Sequence, residues 1–186
     1  MKIRIALIML GILLCFTACG KSTPAMGSDP ASAGENTQIG NPWRDITEEE
    51  AKELCPHSVK VPAEAENVQW SVLPASDDAA GTPGALVQLV FDLNGNTFTA
   101  REQVTGKEET DTAGWNYDWT AQEAMTIPDG NGGKIEGRCY RYIGEDEYVD
   151  LCTWYDAQTG VSYSLGVTAK DLDGFDLQAI VEQIFP

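Results

Sequence analysis

The sequence predicts an α+β domain: an antiparallel sheet of about six strands in consecutive hairpins, with one short helix before it and one amphipathic helix after it. Three observations carry this. Two symmetrical hairpin signals sit at Asn94-Gly95 and at Gly144-Glu145-Asp146-Glu147, and Phe175 to Phe185 has apolar residues at helical spacing. Strands that follow one another through tight turns pair antiparallel, and helices collected on one face of such a sheet make an α+β fold.

The first helix is announced by Thr47-Glu48-Glu49-Glu50, a capping box with Thr47 at N-cap and Glu50 at N3. Acidic residues in the first turn also suit the helix dipole. Ala51, Leu54 and Cys55 fall on its inner side, and Pro56 ends it. Asn67 to Leu73 alternates Val68, Trp70 and Val72 with polar residues, as a half-buried strand does. Residues 74–84 read as a Pro/Gly/Ala/Asp loop.

Asn-Gly is the preferred pair for a type I′ turn because both positions take positive φ. A two-residue loop there pairs Phe91 with Phe98, Leu89 with Ala100 and Gln88 with Arg101. The apolar pairs fall on one face and the polar ones on the other, so turn and pattern agree. Residues 104–113 are polar and read as a loop. A further strand is expected around Trp115-Asn116-Tyr117-Asp118-Trp119, its aromatics on one face. Asp129-Gly130-Asn131-Gly132-Gly133 is a turn. A symmetrical loop at 144–147 sets Cys139 opposite Cys152 and Arg141 opposite Asp150. Direct opposition permits a cross-strand disulfide where the Cα atoms approach to about 4.5 Å. Two buried free thiols are the other reading. Val161 to Thr168 supplies the last strand. Leu177, Ile180, Val181 and Ile184 then form the apolar stripe of the terminal helix, with Asp173 or Asp176 near its start.

The chain divides at 1–18, 19–42 and 43–186. Lys2 and Arg4 precede an apolar run from Ile5 to Phe16, shorter than the roughly 20 residues that span a bilayer core. The run reads as a signal peptide. Its end, Phe16-Thr17-Ala18-Cys19-Gly20, resembles a lipobox, which implies acylation of Cys19 and an anchor in the membrane. Phe16 and Thr17 depart from the usual residues; Cys15 is a poor alternative because Leu14 precedes it. Two acyl chains, at about 0.8 kcal/mol per buried CH₂, give stable anchoring. Residues 20–42 are rich in Ser, Thr, Pro, Gly, Ala and Asn, and form a flexible tether.

The chain carries 12 Lys+Arg and 29 Asp+Glu, for a net charge of −17; without Lys2 and Arg4 the balance is 10 against 29, or −19. Such a surface repels nucleic acid and anionic membrane. The single histidine, His57, stands near Cys55 with no visible orienting group, so no nucleophile is built there. No hydrolase, phosphate-loop or metalloprotease motif occurs, and one histidine with scattered thiols makes a zinc site improbable. Asp92 to Asn96 imitates the start of a calcium loop, but Thr97 stands where that loop needs Gly and Gln103 where it needs Glu. No cofactor is expected.

The folded part resembles an uncharacterised family of clostridial-type bacterial lipoproteins. The resemblance is carried by Asn41-Pro42-Trp43 before the acidic helix, residues 97–102, residues 148–154, and Tyr163-Ser164-Leu165 before the last helix. More loosely, the final strand and short terminal helix look like DUF4367-type domains of extracytoplasmic proteins. The resemblance covers most of 41–186 and implies a fold but no catalytic residues. The expected function is a non-enzymatic binding or interaction module, held outside the cytoplasm by its lipid. Its candidate ligand face comprises Trp115, Tyr117, Trp119, Tyr140, Tyr142 and Trp154. A cell-envelope hydrolase using a carboxylate pair and an envelope sensor acting through a partner are the alternatives.

Overall fold

The computed structural model describes residues 41–75, 84–106 and 109–185. The signal segment, Cys19 and nearly all of the tether lie outside the described residues. The elements run in the order β1 (Arg44–Ile46), α1 (Glu48–Leu54), β2 (Glu66–Leu73), β3 (Leu86–Leu93), β4 (Asn96–Val104), β5 (Ala121–Pro128), β6 (Lys134–Ile143), β7 (Tyr148–Asp156), β8 (Val161–Ala169) and α2 (Leu177–Ile184). The eight strands form one sheet in the order β1-β2-β3-β4-β8-β7-β6-β5, and every neighbouring pair is antiparallel. The α+β class therefore holds.

Two features of the expectation are corrected. The sheet has eight strands rather than about six. The added β1 is only three residues long, too short to show a period, and pairs with β2. Nor do the hairpins run on without a break. One antiparallel run comprises β1 to β4 and another β5 to β8, and they meet where β4 pairs with β8. The connection between β4 and β5 cannot be a hairpin, because β5 lies at the far edge.

The expected strand at 115–119 is also corrected. That segment pairs with no strand, the Trp119 amide turning back to the Tyr117 carbonyl at 3.0 Å, and the regular element begins at Ala121. Met125 and Ile127 alternate inward along β5 and are buried. Pro128 is tolerated because β5 is an edge strand at its last residue.

Local chemistry sets the elements. Thr47 accepts from the Glu50 amide and Glu50 returns to the Thr47 amide at 2.8 Å, so the capping box closes. Ala51 and Cys55 are buried, whereas Leu54 is exposed. In β2 the alternation is broken by a register shift between Glu66 and Gln69, with Asn67 at φ 51°. The extra residue turns Val68 outward, while Trp70 and Val72 stay buried. At the β3–β4 hairpin Asn94 and Gly95 take φ 52° and 81°, and Phe91 stacks on Phe98 at 5.2 Å. Asp92, the would-be calcium ligand, accepts from Thr97 Oγ1 at 2.6 Å and Asn67 Nδ2 at 2.7 Å. Those bonds hold its carboxyl below the ordinary range. Asp129 similarly accepts from the amides of Asn131 and Gly133.

Both helices lie on one face of the sheet. Directly opposed residues share a face, so Val87, Leu89, Phe91, Phe98, Ala100, Leu165, Tyr163 and Trp154 all point to the helix side. Leu177, Ile180, Val181 and Ile184 of α2 are buried there, each contributing on the order of 2 kcal/mol. Asp176 caps α2 through the Ala179 amide. Arg141, opposite Asp150 in register, grips it through two bonds of 2.7 and 2.5 Å and also donates to the Phe175 carbonyl at 3.2 Å. The β6–β7 hairpin is thereby tied to the approach to α2. Beside this pair Cys139 and Cys152 form a disulfide.

Glu102 is the most deeply buried carboxylate among the described residues. Glu102 continues the inward series Phe98, Ala100 and is 1 % exposed. It accepts from Ser58 Oγ and, at 2.6 Å, from the Val59 amide, so it anchors the loop after α1. Tyr163 Oη holds the same loop by donating to the His57 carbonyl at 2.8 Å. Burial pushes the Glu102 carboxyl up to about 7, against the opposing pull of those two donors.

A carboxyl raised in the folded state binds its proton more tightly there than in the unfolded chain. Its contribution to stability is present below the unfolded value near 4.5 and is lost as pH rises to about 7. Glu102→Gln should remove this loss, which is on the order of 3 kcal/mol. Urea unfolding at pH 4.5 and 7.5 checks it: the stability drop between the two should be smaller in the variant, and an equal drop in both proteins would refute the assignment.

Candidate functional site

The site follows from the topology. From β4 to β5 the chain must pass β8, β7 and β6, a distance of four strand spacings or about 19 Å. Sixteen residues, 105–120, make the crossing. The described part of this connection, from 109 onward, runs on the face opposite the helices and forms a strap across the sheet's outer face.

The outer face is shaped to receive it. Below the strap β8 offers Ser162, Ser164 and Gly166, small residues that leave room for a second layer of backbone. Thr105 Oγ1 and Ser162 Oγ share a bond of 3.0 Å, and the Thr110 amide donates to Ser162 Oγ at 3.0 Å. Tyr155 Oη donates to the Gly106 carbonyl at 2.6 Å. Asp111 turns the strap by accepting from the amides of Ala113 and Gly114 at 2.9 and 3.2 Å. Arg101 reaches from β4 to donate to the Ala113 carbonyl, and its guanidinium lies 5.3 Å from the Trp43 ring centre. At the far end Thr120 donates twice to the Arg141 carbonyl, from amide and hydroxyl, and feeds the chain into β5.

Alternation in the strap turns Trp115, Tyr117 and Trp119 down onto the sheet and leaves Asn116 and Asp118 in solvent. Trp115 lies on Gly166, where a Cβ would overlap its six-membered ring. Tyr117 meets Tyr142 at 5.1 Å and Trp119 at 5.4 Å, and Trp119 meets Tyr140 at 5.4 Å. Rings at this spacing and tilt attract one another beyond their area burial. All five rings stay partly exposed.

Between strap and sheet runs an open groove of about 370 Å³. Trp115, Trp119 and Tyr140 form its aromatic wall, Leu151 and Thr153 of β7 its floor, and Glu109, Thr110 and Asp111 its rim. Five of the six aromatics expected on a ligand face are thus brought together. Trp154 is not. Its neighbour Tyr155 faces the strap, and alternation sends Trp154 to the helix side, where it is 1 % exposed and stacks on Tyr163 at 5.2 Å. Phe185 closes over it edge-on at 6.3 Å.

A second cleft, of about 310 Å³, opens at the sheet edge between β5, β6 and the start of α2. Its carboxylates are largely committed: Asp150 to Arg141 and Asp176 to the helix cap. Cys55, near Glu102 in the core, is 1 % exposed, and burial pushes its thiol up to about 12. It stays protonated at neutral pH and offers no thiolate nucleophile. His57, two residues on, points into solvent. Among the described residues no group of three or more His, Cys, Asp and Glu is arranged to hold a metal ion.

Glu109, Thr110 and Asp111 lie in a stretch whose composition shows only a polar loop. The signal that could have found them is the separation of β4 from β5, which no local pattern reports. A scan against protein-family models, a search of the curated proteins and a search of the solved structures all find no match to this chain.

Gly166→Val should lift Trp115 from the sheet. Overpacking of this kind costs about 1–3 kcal/mol, so the melting temperature should fall and tryptophan emission should shift to the red. Emission unchanged from the parent protein would show that Trp115 does not rest on Gly166.

Proposed function

We propose that the chain is a lipid-anchored extracytoplasmic binding protein, without enzymatic activity, which takes a small ligand in the groove beneath its strap. The observation that carries this is the groove itself: partly exposed aromatic rings of the strap and the sheet, converging on about 370 Å³ of open space. Exposed aromatic area that is already ordered binds at low entropic cost, since the rings have few rotamers left to lose. Nothing in the core needs Trp119 or Tyr140 in that position, because the hydrophobic core lies on the other face.

The address rests on the sequence. Lys2 and Arg4, the short apolar run and Ala18-Cys19 support export and acylation of Cys19. The tether of residues 19–42 would then hold the domain away from the bilayer, and the excess of carboxylates would keep it from anionic headgroups. Among the described residues no helix is long and apolar enough to cross a membrane. Membership of the clostridial-type lipoprotein family, with its loose likeness to DUF4367-type domains, belongs to the same proposal.

The test uses the chain from residue 19 onward carrying Cys19→Ser, and a panel of alkylammonium salts, N-acetylhexosamines and short peptides. At least one class should raise the melting temperature and alter tryptophan emission. Trp119→Ala should weaken that binding about tenfold or more while leaving the fold intact by circular dichroism. The proposal fails if no class binds, or if Trp119→Ala and Tyr140→Ala both bind as well as the parent.

A further inference from the structure

We infer that the ligand of this groove is an organic cation, carrying a methylated or primary ammonium group. This inference rests on the reading of the groove as a binding site and adds its chemistry. Three aromatic residues, Trp115, Trp119 and Tyr140, line the space, and Glu109 and Asp111 stand at its rim. Among the described residues no Lys or Arg lines it.

Aromatic faces carry negative potential and attract a cation placed within about 6 Å of the ring centre, Trp most strongly. The two carboxylates add negative charge at the mouth, that of Asp111 shared with the Arg101 guanidinium, whose charged form it favours. Asp111 is fixed in place, since Oδ1 accepts from the amides of Ala113 and Gly114. An anionic ligand would meet both carboxylates, with no basic residue among the described lining to receive it. A neutral ligand could stack on the rings but would gain nothing from the charges. A compact ammonium uses both features together. The nearest basic side chain in register is Arg138, opposite Thr153; it is exposed and outside the lining. Arg101 is engaged with the Ala113 carbonyl and the Trp43 ring. The surrounding field favours the same sign, since the chain's formal charge is −17.

The experiment is isothermal titration of the residue-19-onward chain (Cys19→Ser) with choline chloride and with 3,3-dimethyl-1-butanol, its uncharged carbon isostere. Tetramethylammonium chloride and sodium acetate complete the series. Choline and tetramethylammonium should bind, with the isostere at least tenfold weaker and acetate silent. Glu109→Gln should weaken choline several-fold and leave the isostere unchanged, whereas Trp119→Ala should weaken both. Rising salt should weaken choline binding to the parent chain more than to Glu109→Gln.

An isostere that binds as well as choline overturns the cation assignment and leaves the groove standing. So does binding of an N-acetylhexosamine or a neutral peptide that Trp119→Ala abolishes while no ammonium binds. Absence of binding by every probe overturns both. Retention on phosphatidylcholine vesicles, reversed by free choline, assigns the cation to a lipid headgroup; binding of free choline without retention assigns it to a solute.

Discussion

The structure depends on β4 giving its free edge to β8 rather than to β5. Had β5 followed β4 as a hairpin, the sheet would be a single meander and no chain would cross it. Because β8 takes that place, β5 is displaced to the far edge and residues 105–120 have to travel across three strands. The helices already occupy one face, so the crossing falls on the other. A sheet with one covered side becomes a sheet with something on both. The small residues of β8 and the ring pairs of strap and β6 follow from that crossing.

The two faces are consequently built by different physics. On the helix side the core is apolar, closed and continuous, with Phe91, Phe98, Trp154 and Tyr163 buried against α2 and the loop after α1. Glu102, its most deeply buried carboxylate among the described residues, is tolerated because two donors meet it. On the strap side, Ser, Thr and Asp side chains bond to backbone and aromatic rings lean together without filling the space. Closure on that side is partial, and partial closure is what leaves a groove. The first face gives the fold its stability, and the second leaves its aromatic rings partly open to solvent.

How much of this was legible depends on the range of the interaction. The capping box at Thr47, the Asn94-Gly95 turn and the Cys139–Cys152 opposition are set within a few residues of chain, and the local pattern states them. Glu102 was legible in principle: the same register that buries Phe98 and Ala100 turns Glu102 inward two residues on. Its charge disguised it among many carboxylates. The strap misled in a more instructive way. Trp115, Tyr117 and Trp119 alternate as a strand does, and aromatic residues favour strands. The alternation is real, but it reports a segment with one side down on the sheet, which a strap shares with a strand. Ala121-Gln122-Glu123-Ala124, weak in strand propensity, forms the strand proper because β6 offers it an edge. Which aromatics share a face with Tyr140 could not be settled until β7 was in register, since one step along the chain separates Tyr155 from Trp154.

The seam between β4 and β8 joins residues such as Phe98 and Val167, distant in the chain. Each antiparallel run can assemble from near neighbours, but the seam must close a long loop, the slower kind of event in folding. The strap spans that seam: Arg101 of β4 donates to the Ala113 carbonyl, and the Thr110 amide donates to Ser162 Oγ of β8. The strap thereby fastens the two runs to each other on the outer face, a second joint laid across the backbone ladder of the seam.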